Sequence, residues 1–408
     1  MRVLVPAVDN CPQLSVARCL ASQDVDLVTT SDVEVREGWS LGSRHLHVAS
    51  TLMQPFSREQ DVLRMVDLVK RQRLEVGIAA TSCHQELLRE VSSAYPFFRV
   101  AAPSNEQSAV LDSKVQSRRF FEGLGLPLPA GQTFLQSEVD RLRSFPRRYP
   151  LVLKRDLSSA TDGVKVIQSD EELENAVSIC LTLQQDFILE EYLGTTREYS
   201  HSFICLRSAY YPLFGLEKLA HFAPSHSTTI RFLSASEETR IIRVLTSLVE
   251  ALSDGFYCAQ LKVGPDGRLV LLEVSPRLGQ NFRILRSFIP ELPALLIALY
   301  LDPDAAVETL ACVRQRRAEV EAKIGTAPLE EVLAAWLRLR FGSGSLLVRA
   351  VKEVGFWAQL VARCRVIDDY SLALLDGDPF AAIHLRALAW RTFFDSEDLA
   401  RKRSFIAR

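Results

Sequence analysis

Past the middle of the chain, Gln260 and Glu273 stand on two β-rich runs, 258–262 and 268–274, joined by Gly264, Pro265, Asp266 and Gly267. Turn chemistry of that strength between such runs predicts a β-hairpin whose arms bring the two side chains together. An amide oxygen and a carboxylate are hard donors, which a magnesium ion accepts while keeping positions for phosphate oxygens and water. Arg277, just beyond in Ser275-Pro276-Arg277, adds the positive charge that phosphate requires. Taken alone, the glutamate would equally serve a structural ion pair, because carboxylates in such pairs are common.

The elements that must position these groups follow from pattern. Apolar runs at 3–5, 25–28, 46–48, 76–80 and 99–101 alternate with helical stretches, the rhythm of a parallel α/β sheet. Ser57 to Gln60 has capping-box spacing, and Val62, Leu63, Met65, Val66 and Val69 form the apolar face of the helix that follows. No G-x-G-x-x-G follows the first strand, so this region lacks the backbone approach to pyrophosphate that those glycines permit. It is expected to shape a substrate cleft.

Asp112 is expected to cap a helix reaching about residue 124, where Gly123, Gly125, Pro127 and Pro129 break regular structure. From 149 onward the pattern is strand (151–155), polar loop (158–163), strand (164–167), helix (171–183) and strand (187–189). Beyond Pro303 the chain reads as helical, with Trp336, Leu337, Leu339, Leu346, Leu347, Val351, Phe356 and Trp357 interleaved with arginines. Such a region packs on its own domain with its arginines solvated, or lies on a membrane surface.

Bulk properties narrow the classes. At 408 residues, with domains usually running to roughly 100–200 residues, two or three domains are expected. A formal charge of -2 gives no electrostatic case for nucleic acid, which leaves small-molecule partners. The eight cysteines are scattered without C-x-x-C pairs, so neither a zinc site nor a disulfide framework is expected. His45 and His47 share a strand face, but no third ligand accompanies them. The N-terminal apolar run is too short for a signal peptide and no run spans a membrane, so a cytoplasmic location is expected.

With the hairpin and these segments in view, the chain resembles the ATP-grasp superfamily over approximately residues 1–300, in the branch of carbamoyl-phosphate synthetase large subunits and related carboxylate-amine ligases. The resemblance implies an N-terminal Rossmann-like pre-ATP-grasp domain (1–107) and an ATP-grasp domain (108–302) with a lid at about 130–195. A mainly helical C-terminal region (303–408) would follow. The family's first lysine is matched by Lys114 in Leu-Asp-Ser-Lys, and its second, which touches the α-phosphate and adenine, by Lys154 in Leu-Val-Leu-Lys.

The loop that closes over the phosphates is matched by Ser158, Ser159, Ala160, Thr161, Asp162 and Gly163, which is poor in glycine for that role. The adenine hinge resembles 187–193, with Glu190, Glu191 and Leu193 at the base, and Glu198 matches the carboxylate that holds the ribose hydroxyls. Gln260 and Glu273 match the metal ligands. Ser275 departs from the asparagine the family places as a third magnesium contact. Arg277 would neutralise charge on the transferred phosphoryl group. In the loop from His221 to Thr229, His226 is the candidate for proton transfer near the acceptor.

The resemblance thus implies an ATP- and Mg²⁺-dependent ligase, with Mn²⁺ as an alternative ion. A substrate carboxylate would attack the γ-phosphate, and an amine would displace phosphate from the acyl phosphate to form an amide. Ser275 and the glycine-poor loop keep open a nucleotide-binding scaffold with impaired turnover, and a phosphotransferase that stops before ligation stays open too. A homodimer is compatible with either reading.

Overall fold

The structure is a computed structural model, and it describes residues 1–6, 11–21, 25–31, 48–51, 58–157, 163–194, 196–223, 226–278, 282–285, 288–320 and 324–326. The histidine pair 45 and 47, the loop residues 158–162 and the tryptophan- and arginine-bearing tail from 327 lie outside the described residues.

The first layer is a five-stranded parallel sheet built from β1 (Arg2–Val5), β2 (Asp26–Ser31), β3 (Val48–Thr51), β4 (Val76–Gly77) and β5 (Arg99–Val100), in the order β3-β2-β1-β4-β5. Helices α1 (Cys11–Ala21), α2 (Arg58–Gln72) and α3 (Ser82–Ala94) connect its strands. The alternation of β1 serves two cores at once. Leu4 packs with Met65, Val69, Leu88 and Phe98 on one face, while Val3 and Val5 join α1 and the C-terminal elements on the other. That double burial is why the run reads as continuously apolar.

Two short helices follow, α4 (Asn105–Asp112) and α5 (Lys114–Gly123). The N-cap of α5 is Ser113, whose hydroxyl accepts from the Gln116 amide at 3.0 Å, and not the expected Asp112, which ends α4. The physical reason is a break in backbone conformation at Ser113, extended at φ -81°, ψ 118°, which lets one serine end one helix and begin the next.

A four-stranded antiparallel sheet comes next: β6 (Gly131–Phe134), β7 (Leu151–Arg155), β8 (Val164–Ile167) and β9 (Phe187–Glu191), ordered β6-β9-β7-β8. A 3-10 stretch, Gln136–Ser144, and α6 (Asp170–Thr182) complete the unit. Leu151, Leu153, Phe187 and Leu189 face the α6 side, in a core with Phe134, Leu173 and Val177. Alternation therefore turns Lys154 and Glu190 to the opposite face.

The second large sheet is antiparallel and six-stranded: β10 (Glu198–Leu206), β11 (Ala209–Ala223), β12 (His226–Phe232), β13 (Gly255–Val263), β14 (Leu269–Ser275) and β15 (Ile324–Thr326), ordered β14-β13-β10-β11-β12-β15. Helix α7 (Ala235–Glu250) starts with a capping box between Ser234 and Glu237 and covers one face, where Tyr257, Ala259, Leu261 and Leu271 meet Leu245 and Leu248. The other face is apolar at one end, under α8 (Phe282–Leu285), α9 (Leu292–Leu301) and α10 (Pro303–Val320), and polar at the other. The region from 303, expected to be mainly helical, is helical through Val320, and Ile324–Thr326 pairs with β12 as an edge strand.

Two glycines are required by geometry. Gly267 closes the β13–β14 turn with φ +79°, a left-handed conformation that side chains disfavour. At Gly131 a Cβ would sit 2.5 Å from the Leu189 carbonyl oxygen and 2.7 Å from Glu190 Cα, both backbone atoms of the paired strand. Gly131→Ala is therefore expected to destabilise the protein by about 1–3 kcal/mol through forced strand displacement. A lowered midpoint of urea unfolding, followed by circular dichroism, checks it.

Candidate nucleotide and metal site

The polar end of the six-stranded sheet is organised in cross-strand rows. Lys218, Glu198 and Lys262 are opposite one another on β11, β10 and β13; Ser200, Gln260 and Glu273 form the next row on β10, β13 and β14; Ser202, Cys258 and Ser275 form the third. Alternation along β10, β11 and β13, together with the register shift between Gln260 and Leu261 that reverses it on β14, puts these residues on the face opposite α7. The hairpin expected from turn chemistry thus brings Gln260 and Glu273 into direct register, with Ser275 one row further on.

Gln260 is held from both sides. Lys218 Nζ donates to its Oε1 at 2.8 Å, and its own Nε2 donates to Glu273 Oε1 at 2.6 Å. Lys218, with its side chain only 4% exposed, also pairs with the Glu198 carboxylate. An ammonium only donates and a carboxylate only accepts, so the partners themselves set which end of the amide points where. The carbonyl expected to face a metal is therefore directed at Lys218.

Across from this sheet, Lys154 on β7 pairs with the buried Glu190 of β9, and Arg118 of α5 donates to the second carboxylate oxygen of Glu190 at 3.1 Å. Arg118 also donates to the carbonyls of Pro129 at 3.0 Å and Gly131 at 3.2 Å. The helix is thereby bound to the start of β6, an edge strand of the sheet. Glu190 is thus a buried counter-charge and no solvated turn residue.

Lys114, first in α5, donates to the Asp156 carbonyl at 3.4 Å. The Asp156 carboxylate accepts from Ser113 Oγ at 2.8 Å and the Val115 amide at 2.9 Å, a second cap on α5 supplied from the end of β7. Burial pushes the Lys114 ammonium below the usual lysine range, with Glu273 and Asp156 pulling it up and Lys154 and Arg277 pressing it further down. Those charges show Lys114, Lys154, Glu273 and Arg277 gathered in one place. Lys262 is likewise lowered, first by burial, with Glu198 opposing and Lys218 and Lys154 assisting, which joins the two walls into one site.

Arg277, on the segment leaving β14, reaches the first domain. Its Nε donates to Ser82 Oγ at 2.8 Å, and Ser82 donates to Asp112 Oδ1 at 2.9 Å. At the expected hinge, the Glu191 amide donates to the Ala130 carbonyl at 2.8 Å and the Glu191 carboxylate accepts from the Ala130 amide at 2.9 Å. The Glu191 N–H is thus committed to strand pairing, and Leu193, buried, lies just beyond. Gly163 has φ +93° and its carbonyl accepts from the Arg155 amide at 2.8 Å, while Ser158, Ser159 and Asp162 lie outside the described residues. His226 begins β12, opposite Ala223; its side chain lies outside the described residues.

The residues fit a magnesium ion at one point. Glu273 supplies a hard carboxylate, and the second oxygen expected from Gln260 is turned toward Lys218. Among the described residues no group of three or more His, Cys, Asp or Glu is placed to hold a metal. Magnesium does not need one, since it is commonly held by one or two carboxylates with phosphate oxygens and water.

Lys218, Lys262, Arg118, Asp156 and Ser82 were not anticipated from the sequence. Lys262 stands two residues after Gln260 on one strand and Arg118 one helical turn after Lys114, so strand and helix periods could have found both. Lys218 and Ser82 carry no such signal.

No protein-family model matches the chain. A D-alanine–D-alanine ligase of Marinomonas sp. (strain MWYL1) is 28% identical over 113 residues, a match covering 28% of this chain and 33% of that relative. Among solved structures, the L-amino acid ligase of Bacillus licheniformis superposes with a TM-score of 0.58 at 14% identity, covering 74% of this chain and 75% of that one. The biotin carboxylase domain dimer of the Hydrogenobacter thermophilus 2-oxoglutarate carboxylase, solved with MgADP, ADP and bicarbonate, gives 0.57 at 14% identity over 70% of this chain and 66% of that one. These likenesses show the fold: a parallel α/β domain followed by a smaller and a larger antiparallel sheet, as the resemblance to the ATP-grasp superfamily implies. Among the described residues no helix is long and apolar enough to cross a membrane.

The lowered Lys114 has a consequence for stability. It gives up its proton at lower pH when folded than when unfolded, so in that interval the unfolded chain binds more protons and stability climbs with pH. Below it, the buried ammonium is a standing cost. Lys114→Met is expected to be more stable than the wild type at neutral pH, with the margin shrinking as pH rises toward the unfolded lysine value of about 10.4. Urea unfolding of both proteins across that range measures it.

Proposed function

We propose that the chain is an ATP-dependent ligase that joins a substrate carboxylate to an amine, forming an amide with release of ADP and phosphate. The observation that carries this reading is the gathering of Lys114, Lys154, Lys218, Lys262 and Arg277 beside the hairpin that carries Gln260 and Glu273. Four ammonium groups and a guanidinium at one place suit a triphosphate and little else of small size. The D-alanine–D-alanine ligase match and the L-amino acid ligase fold support ligation over simple hydrolysis.

In this mechanism Lys154 and Lys114 hold the phosphates, and Lys154 exchanges part of its pairing with Glu190 for the nucleotide. The Glu191 carbonyl and the Leu193 backbone receive the adenine, while Glu198 and Lys262 flank the ribose. Bound at Glu273, magnesium would neutralise phosphate charge and align the γ-phosphate with the attacking oxygen. Arg277, steadied by Ser82, binds the incoming carboxylate and stabilises charge on the phosphoryl group as it transfers. The loop bearing Ser158, Ser159, Asp162 and Gly163 excludes water, so the acyl phosphate meets the amine first, with His226 as the group to take the amine's proton. Ser275 offers a hydroxyl one row from Glu273, where it would hold a water for a bound ion. The partners are then a small carboxylate and a small amine, with no role for nucleic acid.

ADP and phosphate release, measured with Mg²⁺ and ATP across pooled carboxylates and amines, tests this. Glu273→Ala and Arg277→Ala are each expected to lower turnover by about 100- to 1000-fold, the usual loss on removing one group that stabilises transition-state charge. Nucleotide binding without turnover in every pool would point instead to a scaffold, and phosphorylated product without free phosphate to a phosphotransferase. Absence of nucleotide binding would overturn the reading.

A further inference from the structure

Four side chains from four neighbouring strands form one continuous polar chain: Glu198 of β10, Lys218 of β11, Gln260 of β13 and Glu273 of β14. Lys218 crosses over the β10 strand to reach Gln260, and its ammonium lies deep, with 4% of the side chain exposed. We infer that the nucleotide site takes a single divalent cation, held through Glu273, and that the Lys218 ammonium, fixed between Glu198 and Gln260, stands as a built-in cation where a second metal ion would otherwise bind. This rests on the reading of the site as one for nucleotide.

Three observations support it. The Gln260 carbonyl oxygen already receives Lys218, and the end of the amide turned to Glu273 is the NH₂ donor, which offers a metal ion no lone pair. A magnesium ion on that carbonyl oxygen would lie within about 5 Å of the ammonium, since the metal bonds at about 2.1 Å, and the two cations would repel across a poorly solvated gap. Displacing Lys218 is no easier, because the ammonium is held by Glu198 and Gln260 on a side chain only 4% exposed, and moving it would leave the Glu198 carboxylate without that partner.

The donor set agrees. A neutral amide at 260 and a hydroxyl at 275 leave Glu273 as the one carboxylate of the hairpin row, which is enough for one ion with phosphate oxygens and water. The phosphate charge that a second ion would neutralise is met by Lys218 and Lys262, both in the row next to Gln260 and Glu273. A fixed ammonium differs from a metal ion in one respect that can be measured: it cannot be counted by titration or removed by chelation.

The test is equilibrium dialysis of the full-length protein against Mn²⁺ and a non-hydrolysable ATP analogue. Bound manganese is counted by electron paramagnetic resonance, and retained nucleotide by its ultraviolet absorbance. One manganese per bound nucleotide is expected for the wild type. Lys218→Met, which removes the ammonium and releases the Gln260 carbonyl, is expected to raise the count to two, whereas Gln260→Glu, which leaves Lys218 in place, is expected to stay at one. Two ions in the wild type, or none, with nucleotide retained overturns the single-cation assignment and leaves the nucleotide site standing. If no nucleotide is retained, the reading of the site falls and this inference falls with it. The wild-type count decides the matter even where a variant does not fold.

Discussion

Lys114, Lys154, Lys218, Lys262 and Arg277 lie close together, and their mutual repulsion is the constraint around which the proposed site is arranged. Here it is met by carboxylates placed behind the cations and not among them. Glu190 stands between Lys154 and Arg118, Glu198 beside Lys218 and Lys262, and Asp156 under the first turn of α5, next to Lys114. Each carboxylate is itself tied to a strand or helix end, so the ammonium groups are pre-oriented toward the gap between the sheets. The lowered Lys114 and Lys262 mark where that compensation is incomplete. Strain of this kind is usual where binding, and not stability, sets the arrangement.

The same contacts bind the three layers to each other. Arg118 fastens α5 to Pro129 and Gly131 as well as to Glu190, Asp156 fastens β7 to α5, and Arg277 with Ser82 and Asp112 fastens the large sheet to the N-terminal domain. Function and architecture therefore share residues. The N-terminal domain, which carries no phosphate-binding glycines of its own, enters the site through the start of α3, opposite the β14 end where Arg277 lies. A substrate carboxylate bound there would touch both layers.

Gln260 illustrates how far residue type and geometry can diverge. As a residue it is a neutral oxygen donor suited to a cation, and the hairpin puts it beside Glu273 as its spacing implies. Yet its carbonyl is directed to Lys218, a residue 42 positions earlier on a strand two places away in the sheet. The arrangement converts a potential ligand into a bridge between a buried ammonium and a carboxylate. Ser275 is consistent with that change, since a site with one ion makes less demand on a third donor.

Much of the frame was legible in the residues themselves, because local physics dictates it. The turn Gly264 to Gly267 declares the hairpin, the capping-box spacing from Ser57 to Gln60 declares α2, and the alternating apolar runs declare a parallel sheet with both faces covered. Glu273 stood out from the hairpin, and Lys114, Lys154 and Glu198 from the resemblance to the ATP-grasp superfamily. The strand Ile324–Thr326 and the serine cap at 113 were not legible, since the first exists only by pairing with β12 and the second turns on one backbone dihedral. What tertiary structure alone decided is which cations share the site and what they hold: Lys218 reaches Gln260 across β10, and Ser82 reaches Arg277 over 195 residues. Periodicity is a property of neighbours along the chain, whereas these contacts depend on the order of strands in a sheet and the packing of one domain on another.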